Sequence, residues 1–214
     1  MDSRRAAALL ALVLLALALS GIGPRDRLTW LLEVSPVLIG APILVFTWRR
    51  FPLTPLTCSL LALHALILVV GGHWTYAEVP LGFELRDLLH LDRNPYDRIG
   101  HFAQGFVPAI LAREILVRTS PLRPGGWLFF LVTCVCLAFS AFYELIEWMA
   151  ALFSVEASES FLGTQGYAWD TQSDMAWAMF GAILALLLLS RVHDRQLRAR
   201  PWLSAASPSR GSNT

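Results

Sequence analysis

Six long, mostly apolar segments dominate this sequence and constrain its fold more than any other feature. A helix needs about 20 residues to cross the hydrocarbon core of a bilayer, because each residue adds about 1.5 Å. Only 15% of the residues are charged, against roughly 25% in an average soluble domain. The sequence therefore predicts an all-α, polytopic transmembrane helical bundle. Its six predicted helices cover 6–22, 30–48, 55–74, 97–117, 127–153 and 170–190.

The first segment allows two interpretations. Arg4 and Arg5 precede it, and the ALA triplet at 16–18 fits the small-x-small pattern of a signal-peptidase site. A retained helix is the favoured interpretation, whereas a cleaved signal peptide would leave a bundle of five helices.

The chain shows no internal repeat and no boundary that would mark a second domain. Residues 1–195 are therefore predicted to form a single transmembrane domain. The segment 196–214 is rich first in arginine and then in serine and proline, which predicts a disordered cytoplasmic tail.

Arginine is distributed unequally between alternate connections, and the chain contains no lysine. The N-terminus, 49–54, 118–126 and the residues after 190 together hold eleven arginines and two acids. The other connections, 23–29, 75–98 and 154–169, hold five arginines and eight acids. Because cytoplasmic loops of membrane proteins are enriched in basic residues, both termini are predicted to be cytoplasmic.

Ionisable residues gather at the opposite, extracytoplasmic end of the predicted bundle. Glu33 lies one turn into the second helix, and His73 lies at the end of the third. Residues spaced by three or four positions share a helix face, and three helices carry such a pair at this level. An ionisable group inside a bilayer costs roughly 2.5–3.5 kcal/mol on insertion scales, so the cluster suggests a function. The pairs are Asp97 and His101, Glu144 and Glu147, and Asp170 and Asp174.

Three interpretations of this cluster remain open. As metal ligands, its carboxylates and imidazole suit a divalent ion such as Mg, Mn, Fe or Zn. As proton carriers, closely spaced carboxylates would share protons. As structural groups, they would pair with arginines or cap helix N-termini, as Asp97 and Asp170 are placed to do. The candidate metal ligands are His101, Glu144, Glu147, Asp170 and Asp174. The candidate catalytic residues are His101, Glu144 and Glu147. The candidate substrate-binding or structural residues are His73, Asp97, Arg98 and Gln165.

Three motifs resemble those of the bacterial YjdF-like inner-membrane family. They are NPYDRIGHFAQGF at 94–106, AFYELIEW at 141–148 and GTQGYAWDTQSDMAWAMFG at 163–181, and the resemblance extends from about residue 25 to 195. It implies a helical bundle in the bacterial inner membrane. It implies no reaction, since the family has no established activity.

A looser resemblance connects the same helices to VanZ-like membrane proteins. Those proteins open one helix with an acid, a basic residue and a later histidine, which Asp97, Arg98 and His101 match. Their later E-x-x-E/Q helix is similar to Glu144 and Glu147, although a glutamine at the second position would depart from this chain. Because VanZ-like proteins are associated with glycopeptide-antibiotic resistance, the resemblance implies a role in the cell envelope. In the final helix, Asp170, Asp174 and Gly181 match the family's third motif.

Two classes of function follow from these observations. The first is an enzyme that acts on a lipid or a lipid-linked envelope substrate by hydrolysis or group transfer. The second is a non-enzymatic protein that binds a cation or proton, or that assists transport or envelope assembly. The near-neutral charge of the chain excludes a nucleic-acid partner, and membrane lipids are the expected surroundings.

Overall fold

The computed structural model describes residues 3–153 and 169–199. These ranges contain seven helices and no strand, so the predicted all-α class is confirmed. Residues 200–214 of the predicted tail lie outside the described residues. The helices are α1 (Ser3–Ser20), α2 (Arg27–Thr47), α3 (Pro55–Trp74), α4 (Pro80–Leu89), α5 (Tyr96–Thr119), α6 (Gly126–Phe153) and α7 (Asp170–Arg198).

Among the described helices, α1, α2, α3, α6 and α7 are long and apolar enough to cross a membrane. Helix α5 has 24 residues, but it carries charged residues near both ends. It runs parallel to α7, since His101 faces Asp174 at one end of the pair and Glu114 contacts His193 at the other. Helix α5 therefore covers the same membrane depth as α7, and the polytopic bundle is confirmed.

Local sequence signals explain where several helices begin. The Asp26 carboxylate accepts a hydrogen bond from the backbone N–H of Thr29, at 2.6 Å, and so caps α2. Thr54 caps α3, and Pro55 occupies the first position of that helix, where a missing N–H costs nothing. These caps fix the points at which the chain re-enters the bundle.

The chain turns sharply after α3. Thr75 and Tyr76 both adopt positive φ angles, of 57° and 51°. This turn directs the ring of Tyr76 back into the bundle, where it packs against Gly71 and Gly100. A side chain at either glycine would collide with that ring, so the close approach requires glycine at both positions.

Helices α5 and α7 make the most extensive helix–helix contact among the described residues. A Cβ atom added to Gly105 would fall on the carbonyl oxygen of Ala178, and one added to Gly181 would fall on that of Phe102. Small residues at a membrane-helix interface allow this approach of two backbones. The apolar residues below this contact, including Ile110 and Ala182, pack with α6 into the main core.

Helix α4 was not predicted from the sequence, which suggested only a polar segment over 75–98. It has ten residues, and three charged residues, Glu84, Arg86 and Asp87, interrupt its leucines. The helix is too short to cross a membrane.

The α5–α7 contact predicts that one added methyl group lowers the stability of the protein strongly. Gly105→Ala places a Cβ atom against the backbone of α7, and overpacking of this kind costs about 1–3 kcal/mol. We expect a lower midpoint of thermal unfolding in detergent. Gly40→Ala in α2 is the matched control, because its Cβ atom meets no heavy atom of the described residues within 4 Å. Equal midpoints for the two variants would contradict the proposed tight contact.

Candidate functional site

Helices α5 and α7 carry two polar clusters, one at each end of the bundle. The acidic cluster consists of Asp97, His101, Glu144 and Asp174. The glutamate–histidine network, at the other end, is centred on Glu114 and His193 and is completed by Arg113, Arg118, Asp194, Thr54 and Thr57. The predicted gathering of ionisable residues at one end is thus accompanied by a second cluster.

His101 lies at the centre of the acidic cluster and is 7% exposed. Its Nε2 atom is 3.5 Å from Asp97 Oδ1 and 3.8 Å from Asp174 Oδ2. Its Nδ1 atom is 3.0 Å from Gln104 Oε1 and 4.0 Å from Glu144 Oε1. Because an amide oxygen only accepts, Nδ1 carries the proton toward Gln104. Nε2 is the ring nitrogen that faces the two aspartates.

Two carboxylate oxygens in the cluster are buried without a hydrogen bond. Glu144 Oε1 and Asp174 Oδ1 have no hydrogen-bond partner among the described residues. Their residues are 7% and 4% exposed. A buried carboxylate oxygen without a donor is costly, so this site is suited to an additional positively charged or donating group.

The positions of Asp97, His101 and Asp174 are compatible with a divalent ion. One ligand atom from each residue lies within 4.8 Å of the others. Ligand atoms around one ion are about 3–4 Å apart at metal–ligand distances near 2.1 Å, so small side-chain rotations would complete a three-residue site. Gln104 would then orient the imidazole by accepting a hydrogen bond from its Nδ1.

Neighbouring side chains hold the acidic cluster in place. The Tyr143 hydroxyl donates to Glu33 Oε2 at 2.8 Å and links α6 to α2. Arg93 donates to Asp170 Oδ1 at 3.1 Å and so fixes the start of α7. Tyr76 also interacts with Glu33, and burial together with that carboxyl group raises the pKa of Tyr76 well above its usual value. Tyr76 therefore stays protonated and able to donate.

The structure separates the predicted site residues into groups. It brings Asp97, His101, Glu144 and Asp174 together, and Glu147 lies within range of charge–charge interaction with His101. Asp170 instead pairs with Arg93. Asp97, which the sequence indicated as a substrate-binding or structural residue, takes a position in the metal-compatible set.

Three further predicted residues lie elsewhere or are not covered. His73 Nδ1 is 2.8 Å from the carbonyl oxygen of Ser20, so this residue joins α3 to the end of α1. The Nε atom of Arg98 is buried and has no hydrogen-bond partner within the described ranges. Gln165 lies outside the described residues.

The glutamate–histidine network is fully enclosed at its centre. Glu114 and His193 are both 0% exposed. Arg118 Nη1 donates to Glu114 Oε1 at 2.9 Å, and the Thr57 hydroxyl donates to Glu114 Oε2 at 2.6 Å. The backbone N–H and hydroxyl of Thr54 also donate to this carboxylate. Glu114 is thus a buried charge whose oxygens are saturated with donors.

The same network fixes the tautomer of His193. Arg113 can only donate, so the contact of 3.0 Å between its Nη1 and His193 Nδ1 makes Nδ1 an acceptor. The proton therefore resides on Nε2, which donates to Glu114 Oε2 at 3.2 Å. Arg113 Nη2 also pairs with Asp194 at 2.7 Å. Arg113 and Glu114 are neighbours in the sequence, but the sequence did not indicate these partners in α7.

The fold and both clusters define a multi-pass helical membrane protein with buried ionisable groups at each end of its bundle. The chain belongs to the DUF2238 family of predicted membrane proteins, which matches residues 5–195. It is 56% identical over 184 residues to the inner membrane protein YjdF of Escherichia coli (strain K12), across 86% of this chain and 88% of that relative. No solved structure matches this chain. The YjdF-like resemblance and a multi-pass location in the inner membrane are thereby confirmed.

The saturated carboxylate of Glu114 predicts a strong dependence of stability on this residue. Glu114→Ala leaves Arg118 without its buried acceptor, and breaking a buried ion pair costs about 3–5 kcal/mol. We expect a marked fall in the denaturant midpoint of the purified protein. Glu84→Ala, at an exposed position of α4, is the control and should leave the midpoint unchanged. A Glu114→Ala protein as stable as the control would show that the network contributes little.

Proposed function

We propose that the acidic cluster binds a divalent metal ion and that this site acts on a lipid or lipid-linked substrate of the cell envelope. The reaction class would be metal-dependent hydrolysis or group transfer. The observation that carries the proposal is the arrangement around His101 Nε2. This atom is 3.5 Å from Asp97 Oδ1 and 3.8 Å from Asp174 Oδ2.

Each residue of the cluster would have a distinct role. Asp97, His101 and Asp174 would supply the protein ligands and leave a coordination position for water or substrate, as catalytic metal sites do. The ion would supply Lewis-acid activation of the bound oxygen. Glu144, whose Oε1 atom lies on the other side of the imidazole, would accept a proton in the role of general base.

The location of the site supports an amphiphilic substrate. The cluster lies at the ends of membrane-spanning helices, where a headgroup and its acyl or prenyl chain meet both polar and apolar surroundings. The sequence resemblance to VanZ-like proteins supports an envelope setting for the same residues.

The alternative is a cation- or proton-binding protein without catalysis. One observation favours it: Glu147 lies within range of charge–charge interaction with both Glu33 and Glu144. Such a group of acids is able to hold a shared proton. In this alternative, Glu33 and Glu147 are as important as the three metal-compatible residues.

The metal proposal predicts stoichiometric binding to purified protein. After dialysis against micromolar Mn²⁺ or Zn²⁺, we expect about one ion per chain by elemental analysis, as a single three-ligand site would hold. The same ion should raise the thermal unfolding midpoint, because a ligand that binds only the folded state stabilises it. Asp97→Asn/Asp174→Asn should lose both effects.

The matched control for this experiment also removes two acidic charges at the same end of the molecule. Glu78→Gln/Asp87→Asn removes two acids that pair with Arg25 and Arg86 on the surface, and it should bind metal as the wild type does. Equal loss in both double variants would indicate non-specific attraction. Absence of metal from all three proteins would reject the metal site and favour the proton-binding alternative.

The proposal also requires that the acidic cluster face the extracytoplasmic side, as the arginine distribution predicts. In a variant without Cys58, Cys134 and Cys136, we expect Asp92→Cys to react with a membrane-impermeant maleimide in intact spheroplasts. Arg123→Cys, exposed in the connection at the opposite end, should react only after lysis. The reverse pattern would place the acidic cluster at the cytoplasm and exclude a periplasmic substrate.

A further inference from the structure

Helix α4 exposes a stripe of leucines. Leu81, Leu88 and Leu89 are 54%, 73% and 59% exposed. At about 100° per residue, these positions and Leu85 lie within an arc of about 100° on one side of the helix. Asp87 lies almost opposite the centre of this arc. The helix is therefore amphipathic, and its apolar side contacts little of the protein.

The connections of α4 confine it to one membrane surface. It begins six residues after the end of α3 and ends seven residues before the start of α5. Its ten residues extend about 15 Å, half the thickness of the hydrocarbon core. The helix is too short to cross the bilayer and lies at the membrane level where the acidic cluster is located.

Asn94 fixes α4 against the bundle. Its Nδ2 atom donates to the carbonyl oxygens of Ala77 and Val79, each at 3.0 Å. Its Oδ1 atom accepts from the backbone N–H of Tyr96 at 3.0 Å. Gly82 packs directly on this side chain, where any Cβ atom would collide. The position of α4 is thus set, and it leaves Leu81, Leu88 and Leu89 exposed.

Two of the three charged side chains of α4 form an ion pair outside the leucine arc. Arg86 lies over the ring of Phe83, at 5.0 Å from its centroid, and pairs with Asp87 at 2.7 Å. This ion pair keeps its charges on the side away from the leucines. Apolar residues on one side and paired charges on the other are typical of a helix that lies in the plane of a membrane interface.

We propose that α4 is an interfacial helix whose leucine stripe binds the acyl chains of the adjacent lipid leaflet. Lipid is the occupant that the structure favours, because α4 follows α3, a helix long and apolar enough to cross a membrane, whose exposed Leu63 and Val70 give it a lipid-facing surface. The stripe extends that lipid-facing surface across the end of the bundle. Tyr76, in the turn before α4, forms a side-chain hydrogen bond with Glu33 and so connects this surface to the neighbourhood of the acidic cluster.

Site-directed spin labelling tests the depth of α4. A variant lacking the three native cysteines is labelled at Leu88→Cys or Asp87→Cys and reconstituted in vesicles of phosphatidylethanolamine and phosphatidylglycerol. We expect the label at position 88 to be accessible to oxygen and several-fold less accessible to a water-soluble nickel chelate than the label at position 87. Leu81→Cys gives a second measurement on the apolar side.

Two results would overturn the proposal. Equal and high nickel accessibility at positions 81, 87 and 88 would place the whole helix in water. Dipolar broadening between labels at position 88 would show that a second copy of the chain covers the stripe instead of lipid. Neither result would bear on the metal site, because the test contains no added metal.

Discussion

The backbone contact between α5 and α7 is the constraint on which the rest of the structure depends. Gly105 and Gly181 let the two helices approach until no side chain fits between them. Because the helices run parallel, residues at equal depth meet at both ends of the contact. His101 faces Asp174 at one end, and Glu114 meets His193 at the other. A wider separation would take the ligand atoms of the acidic cluster out of reach of a single ion.

The two clusters differ in how fully their charges are compensated. Glu114 accepts hydrogen bonds from threonine, arginine and histidine donors, so its burial is matched by contacts. In the acidic cluster, one carboxylate oxygen of Glu144 and one of Asp174 lack such donors within the described part of the chain. A buried charge tends to be paired, protonated or bound to a metal. This difference is the physical reason for the proposal that the acidic cluster, and not the glutamate–histidine network, binds a ligand.

The sequence predicted which residues share a helix face better than it predicted which residues of different helices contact one another. The spacing of Asp97 and His101 placed both on one face of a helix, as the structure has them, because that relation is local. The partnership of Glu114 with His193 depends on which helices pack together, and His193 lies beyond the predicted end of the last helix. Asp170 could be recognised as a helix-start acid, but its partner Arg93 is 77 residues away. Helix α4 was not predicted because charged residues interrupt its leucines.

Helix α5 explains why hydropathy alone undercounts the spans of this protein. Its polar residues face α3, α6 and α7 instead of lipid, so the helix need not be apolar on all sides. A polar helix enclosed by apolar ones can carry ionisable groups at membrane depth because its neighbours supply donors and exclude lipid. Helices α5 and α7 both contribute to the two clusters and to the tight contact between them. Stability and any chemistry of the acidic cluster therefore depend on the same two helices, and variants that alter only the acidic side chains are needed to separate them.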